Sequence, residues 1–123
     1  MADYDCRSAL VDNYLARLDL DKKIHRYYSG RVILVTGGAG AIGSNLIIAL
    51  SQLVGDAGKI IVLDNLSSIK NKDSWNVTPL PNIMFVRGDV RNDMDLKRVF
   101  KEEPSLVFHL AAFFANQNSV DYP

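Results

Sequence analysis

Residues 31 to 44, Arg-Val-Ile-Leu-Val-Thr-Gly-Gly-Ala-Gly-Ala-Ile-Gly-Ser, run a short apolar segment into a glycine-rich turn and then into a stretch with helical apolar spacing. Few folds accommodate that succession. Val32 to Val35 are continuously apolar and β-branched in the main, as in a central parallel strand covered on both faces. The glycines at 37, 38, 40 and 43 satisfy a G-x-G-x-x-G spacing (38, 40, 43) and equally a G-x-x-G-x-x-G spacing (37, 40, 43). In such a turn the first glycine allows a sharp reversal without a Cβ penalty, the middle one lets the backbone approach a ligand, and the last lets the next helix pack close to the strand. The amides at the start of that helix have no partner within it, and the helix dipole favours an anion there. The segment therefore predicts a strand-turn-helix unit that seats the pyrophosphate of a dinucleotide.

The apolar periodicity extends this unit into an α/β sheet. Ile42, Leu46, Ile47, Leu50 and Leu53 mark one face of a helix ending near Gly55, and Lys59 to Asp64 reads as a second buried strand. Ser67 to Pro81 is polar, contains two prolines and reads as a long loop with at most one helical turn. Asn82 to Arg87 is a third strand, Asn92 to Glu103 a helix with Leu96, Val99 and Phe100 turned inward, and Leu106 to Ala111 a fourth strand. This order predicts a Rossmann-type parallel sheet, helices on both faces, strand order 3-2-1-4, the N-terminal half of a dinucleotide fold. Residues 1 to 30 precede it as a helical extension. Leu10, Val11, Tyr14, Leu15 and Leu18 recur at helical spacing, and Asp21 is placed to cap a second short helix with Ile24, Tyr27 and Tyr28 that Gly30 stops.

Composition removes several classes of function. Fourteen basic residues balance fourteen acidic ones, so nothing argues for nucleic acid or an anionic membrane surface as partner. No apolar run is long enough to span a bilayer, and Met-Ala-Asp-Tyr-Asp is unlike a secretory signal, which points to the cytoplasm. A single cysteine, Cys6, excludes an intrachain disulfide and a cysteine-based metal site, and no metal site is expected. At 123 residues the chain is one domain at most, small for a nucleotide enzyme that also needs a substrate pocket.

The expected cofactor site gathers at the carboxyl ends of the strands. Gly37, Gly40, Ala41, Ile42 and Gly43 form the phosphate turn. Asp64 closes the second strand about twenty residues beyond the last glycine, where a carboxylate accepts hydrogen bonds from the adenosine ribose. A 2′-phosphate would be repelled there, and Asn65 rather than an arginine follows, so NAD is expected over NADP; Lys70 and Lys72 in the loop are the cations that would weaken this preference. Asp89 and Val90 end the third strand beside the adenine pocket, the carboxylate accepting from the adenine amino group; the competing role for Asp89 is a helix N-cap, for which Asn92 or Asp93 serves as well. Leu110, Ala111 and Ala112 leave the fourth strand, where small side chains permit close backbone approach. His109 sits between Phe108 and Leu110 and reads as a structural histidine rather than an acid or base, and His25 as a surface residue. Trp75 packs over the adenosine or anchors its loop; Phe113 and Phe114 line a pocket or cover the core.

Thr-Gly-Gly-Ala-Gly-Ala-Ile-Gly-Ser at 36 to 44, Asp-Asn-Leu-Ser-Ser at 64 to 68, Gly-Asp-Val-Arg at 88 to 91 and Val-Phe-His-Leu-Ala-Ala at 107 to 112 resemble the extended short-chain dehydrogenase/reductases. More narrowly, they resemble the NAD-dependent nucleotide-sugar epimerases and dehydratases of the UDP-glucose 4-epimerase type. Ala41 stands where that family usually carries a bulky aromatic. The resemblance implies a complete enzyme that removes and returns a hydride through a 4-keto sugar, with a serine or threonine and a Tyr-x-x-x-Lys helix carrying the proton chemistry. None of Tyr4, Tyr14, Tyr27, Tyr28 or Tyr122 has a lysine four residues later. No catalytic residue can be assigned, and the expectation is a chain of two parts, a helical extension (1–30) and a partial NAD-binding domain (31–123), without the substrate domain and inactive alone. The alternative is a non-catalytic dinucleotide-sensing or interaction module of the same fold. An open edge at the fourth strand and a bare sheet face lead to the expectation of a homodimer, formed through that edge or with residues 1 to 30 covering the face.

Overall fold

The computed structural model describes residues 2–18, 22–67 and 80–112. Asp21, Lys70, Lys72, Trp75, Phe113, Phe114 and Tyr122 lie outside the described residues. The elements are α1 (Ala2–Leu18), α2 (Lys22–Tyr28), β1 (Val32–Thr36), α3 (Ala41–Val54), β2 (Lys59–Asp64), β3 (Ile83–Arg87), α4 (Asp93–Phe100) and β4 (Leu106–His109). The four strands form one parallel sheet in the order β3-β2-β1-β4, the order the sequence predicts.

Alternation along the strands divides the core in two. Ile33 and Val35 of β1, with Ile60 and Val62 of β2, face α3 and meet Ile47, Ile48, Leu50 and Val54. Leu34, Ile61, Leu63 and Val86 face the other way and meet Val99 of α4, with Leu96 half-buried beside it. Each fully buried aliphatic side chain contributes about 1.5–3 kcal/mol over its exposed state, so the two inner strands, buried on both faces, carry most of the apolar stabilisation.

Ile42 is 77% exposed and Phe100 is 49% exposed, so neither faces the core as the spacing predicts. On α3 the buried stripe runs through Gly43, Ser44, Ile47, Ile48, Leu50, Ser51 and Val54, which turns Ile42 outward at the helix start. α4 is shorter than expected, because Glu103 adopts left-handed backbone (φ 55°) immediately before Pro104 and the helix closes at Phe100. β4 likewise ends at His109, before Leu110 and Ala111. Asn82 is not a strand residue: its side-chain amide donates to the carbonyls of Ser51 (2.8 Å) and Gly55 (3.1 Å) and closes the C-terminal end of α3.

The extension lies against α3. Val11 and Tyr28 pack on the α3-side core while Leu10 and Tyr14 point outward, so the five apolar positions of α1 are not one buried face. Gly30, at φ 76°, donates its amide to Val54 O and joins the end of α2 to that of α3. The Arg31 guanidinium lies 4.1 Å from the centre of the Tyr27 ring, and its Nε donates to the Tyr27 carbonyl. The extension thus packs on the α3 side of the sheet, while Leu34, Ile61 and Leu63 on the other side are buried with Val99 of α4.

Candidate functional site

The carboxyl ends of the strands surround a cavity of about 560 Å³. Gly37, Gly40, Ala41, Ile42, Gly43, Asp64, Asn65, Asp89, Val90, Leu110, Ala111 and Ala112 all line it, so the structure brings every expected cofactor residue to one place. Leu63, Ser67, Gly88 and Arg91 line it as well and were not expected. Arg91 belongs to the Gly-Asp-Val-Arg run, and its position two residues after Asp89 is the signal that could have found it.

The two possible glycine registers separate sterically. Gly37 has φ 74°, which favours glycine, and a Cβ on it would stand 2.7 Å from the Ala111 amide nitrogen. Gly38 turns inward: a Cβ there would meet Val62 Cγ1 at 2.6 Å, and the residue does not line the cavity. A Cβ on Gly43 would meet the Gly37 carbonyl oxygen at 2.4 Å, which is what close packing of α3 on the turn requires. Gly40 is different, since a Cβ there has only that oxygen nearby, at an ordinary 3.5 Å. Residues 37, 40 and 43 are therefore the set that faces the cavity.

α3 begins at this turn with Gly40 as N-cap, which supplies no side-chain cap, and with no acidic residue in its first turn. Its first main-chain bond runs from Ser44 N to Gly40 O at 2.9 Å. The amides of Ala41, Ile42 and Gly43 precede it and, with the helix dipole, form a place for an anion.

Asp64 joins this turn to the end of β2. Its Oδ2 accepts from Ala39 N at 3.0 Å and its Oδ1 from Leu66 N at 2.7 Å, leaving a further lone pair on each oxygen. Gly37 N also donates to Leu63 O at 2.9 Å. Leu66 holds left-handed backbone (φ 61°), a conformation that costs a non-glycine residue about 1–3 kcal/mol. Its side chain is only 2% exposed and packs with Ala39 in a small cluster separate from both cores.

Asp89 is more heavily engaged. Oδ1 accepts from Arg91 N and Arg91 Nε, both at 2.9 Å; Oδ2 accepts from Arg91 Nη2 at 2.8 Å and Asn65 Nδ2 at 3.1 Å. The Arg91 hydrogen bonds, reinforced by Asn65 and the guanidinium charge, hold its carboxyl well below the usual carboxylate range. The N-cap of α4 is Asn92, whose side chain accepts from Met94 N (2.9 Å) and Asp95 N (3.1 Å), so the capping role considered for Asp89 is not the observed one. His109 Nδ1 pairs with Thr36 Oγ1 at 2.6 Å, and Ala111 N donates to the same hydroxyl at 3.3 Å. That arrangement fits the structural role read for His109, which is tied to β1 at the exit of β4.

Among the described residues no group of three or more His, Cys, Asp or Glu side chains could hold a metal ion, and no helix is long and apolar enough to cross a membrane. A parallel sheet in this order, with a glycine turn feeding a helix and a carboxylate closing the neighbouring strand, defines the Rossmann-type class of nucleotide-binding folds. The family model described as GDP-mannose 4,6 dehydratase matches residues 34–123, and the chain belongs to that family. It is 43% identical over 94 residues to the CDP-paratose 2-epimerase of Salmonella typhi, covering 74% of this chain and 27% of that protein. The structure of the epimerase Mth375 from Methanothermobacter thermautotrophicus is similar with a TM-score of 0.72 and 53% identity, over 82% of this chain and 28% of that one. The Bordetella bronchiseptica enzyme WbmF, in complex with NAD+ and UDP, is similar with a TM-score of 0.65 and 34% identity, over 79% of this chain and 27% of that one. The chain thus spans little more than a quarter of the length of these relatives.

Proposed function

We propose that this chain is the NAD-binding portion of a nucleotide-sugar epimerase or dehydratase and that, by itself, it holds the ADP half of NAD without catalysing a reaction. The observation that carries this is the joint placement of three uncapped first-turn amides and the Asp64 carboxylate on one cavity at the carboxyl edge. The residues fit the cofactor. Gly40 keeps the approach to the amides clear, and Asp64 retains a lone pair on each oxygen for the ribose hydroxyls. A 2′-phosphate beside Asp64 would meet like charge, which supports NAD over NADP. Asp89 and Val90 border the adenine; for the Asp89 carboxylate to accept from the adenine amino group, the longest of its four bonds, from Asn65, must yield.

When bound, NAD supplies the hydride acceptor and donor of the complete enzyme. What these residues contribute is binding and orientation: the carboxylates among the described lining, Asp64 and Asp89, are engaged in hydrogen bonds to the turn, to Asn65 and to Arg91. In this reading residues 1–30 are an extension and 31–123 the cofactor domain, with the sugar nucleotide held by a substrate domain beyond them. A cytoplasmic setting belongs to the same reading. Pairing of copies through β4 is supported by its place at the end of the strand order and by exposed Val107 and Leu110; a monodisperse monomer at high concentration by light scattering would count against it. The main test is calorimetry with NAD, ADP and NADP. NAD and ADP are expected to bind at millimolar concentration or below and NADP more weakly, and absence of heat with both NAD and ADP refutes the reading.

A further inference from the structure

The strained Leu66 has no part in the contacts assigned to the cofactor, yet its side chain is buried against the glycine turn. We propose that Leu66 is a positioning residue for the nucleotide phosphates, its side chain packing on Ala39 of the glycine turn; this rests on the cofactor reading above. The turn is held on its other sides by main chain and core. Gly37 N is bound to Leu63 O, Gly38 packs on Val62 and Ile47, and Gly43 packs on Gly37 and Gly38. Ala39, in the middle of the turn, is 1% exposed and forms a small buried cluster with Leu66.

The backbone of Leu66 enters the left-handed region at φ 61°, where glycine or asparagine would be at ease. A leucine there is explained by what its side chain reaches. The turn at the end of β2 is built to hold it: Asp64 Oδ1 accepts the Leu66 amide at 2.7 Å, and Asn65 Oδ1 accepts the Ser67 amide at 3.0 Å. Asp64 Oδ2 meanwhile accepts from Ala39 N at 3.0 Å, so Ala39 is held by a hydrogen bond from its main-chain amide as well as by the Leu66 side chain. Without the side chain, the amides of residues 41 to 43 lose their fixed aim at the pyrophosphate. The ribose contact should survive, because the Leu66 bond to Asp64 comes from main chain.

The experiment compares binding of ADP and adenosine to the 123-residue chain and to Leu66→Ala, Leu66→Gly and Leu66→Met. Leu66→Ala removes the support and keeps the strain, Leu66→Gly removes both, and Leu66→Met restores the bulk. ADP affinity should fall about tenfold in the alanine and glycine variants, adenosine affinity by less than about twofold, and methionine should recover ADP binding to within about threefold. Should the alanine chain fail to fold, the glycine chain, relieved of strain, gives the same readout. Unchanged ADP affinity in Leu66→Gly, or equal losses for ADP and adenosine, overturns the positioning role. Failure of the unsubstituted chain to bind ADP overturns the cofactor reading beneath it.

Discussion

Alanine at Gly40 and at Gly43 separates what the fold needs from what a ligand needs. At Gly43 a methyl would stand 2.4 Å from the Gly37 carbonyl oxygen and 2.7 Å from Gly38 Cα, both rigid backbone. Helix propensity favours alanine there by about 1 kcal/mol, whereas overpacking costs about 1–3 kcal/mol. An overlap of about an ångström against main chain puts the cost at the upper end, so the variant should lose about 1–2 kcal/mol, a fall in Tm of about 3–10 °C for a chain of this size. At Gly40 the nearest atom is 3.5 Å away and φ is −72°, which any residue adopts. Alanine makes a poorer N-cap than glycine by about 0.5–1 kcal/mol, and the stiffer unfolded chain returns about 0.4–1 kcal/mol. The two nearly cancel, and Tm should move by less than about 3 °C. The methyl at Gly40 nevertheless enters the cavity. Losing one charge-assisted amide bond to a pyrophosphate costs about 1.5–3 kcal/mol, so Kd for ADP and NAD should rise about ten- to a hundredfold. Scanning calorimetry of the ligand-free chains and titration with ADP read both quantities. A Gly40→Ala chain that binds ADP normally, or a Gly43→Ala chain with raised Tm, would refute the steric division.

Asp64→Asn cannot accept from both Ala39 and Leu66 amides while serving the ribose, so NAD affinity should fall at least about tenfold and the margin over NADP should narrow; an unchanged NAD:NADP ratio by competition calorimetry contradicts this. Arg91→Ala releases Asp89, whose carboxyl is held below its ordinary value of 3.8. A depressed folded-state pKa stabilises above the unfolded value and the benefit is lost as pH falls through it, so the Tm difference between the two chains should be steady from about pH 5 to 7 and shrink below about pH 4. Both side chains reach solvent, which keeps that difference small; growth on acidification would reverse the sign of the argument. Asn92→Ala removes an acceptor serving two α4 amides and should cost about 0.5–2 kcal/mol by urea unfolding with an unchanged m-value, and a cost of zero would mean that α4 is held by Val99 and Leu96 packing alone.

What could be read from the chain beforehand follows from which forces are local. Strand order is legible because the continuous apolar runs of β1 and β2 dictate buried parallel strands, and right-handed crossovers leave little choice of arrangement for the strands beside them. The cavity lining came out because turn, strand end and helix start are bound to short motifs. Facing was harder. Ile42 and Phe100 fit a helical stripe by spacing, but the stripe is set by where the sheet lies, and at the ends of α3 and α4 that is a tertiary matter. Asn82 looked like strand because its partner carbonyls at Ser51 and Gly55 are about thirty residues away. Leu66 escaped notice for a related reason, since propensity places no leucine at positive φ and only the packing against Ala39 explains one.

The charges on the cavity sharpen how an anion is held there. Asp64, Asp89 and Arg91 are the charged residues among its described lining, and Arg91 is already bound to Asp89 at 2.8 Å. The remaining carboxylate leaves the lining with no cation to spare. Under the proposed reading, what the described lining offers a pyrophosphate is main-chain amides and the partial positive charge at the start of α3, which act only at hydrogen-bond range and only if aimed correctly. Such a site is unforgiving of small displacements. Its geometry is held by glycines that admit no Cβ at 37 and 43, by Asp64 joining Ala39 to Leu66, and by Leu66 packing on Ala39. A flexible cation could follow a phosphate, whereas main-chain amides cannot, and the proposed role of Leu66 is to supply the rigidity they need.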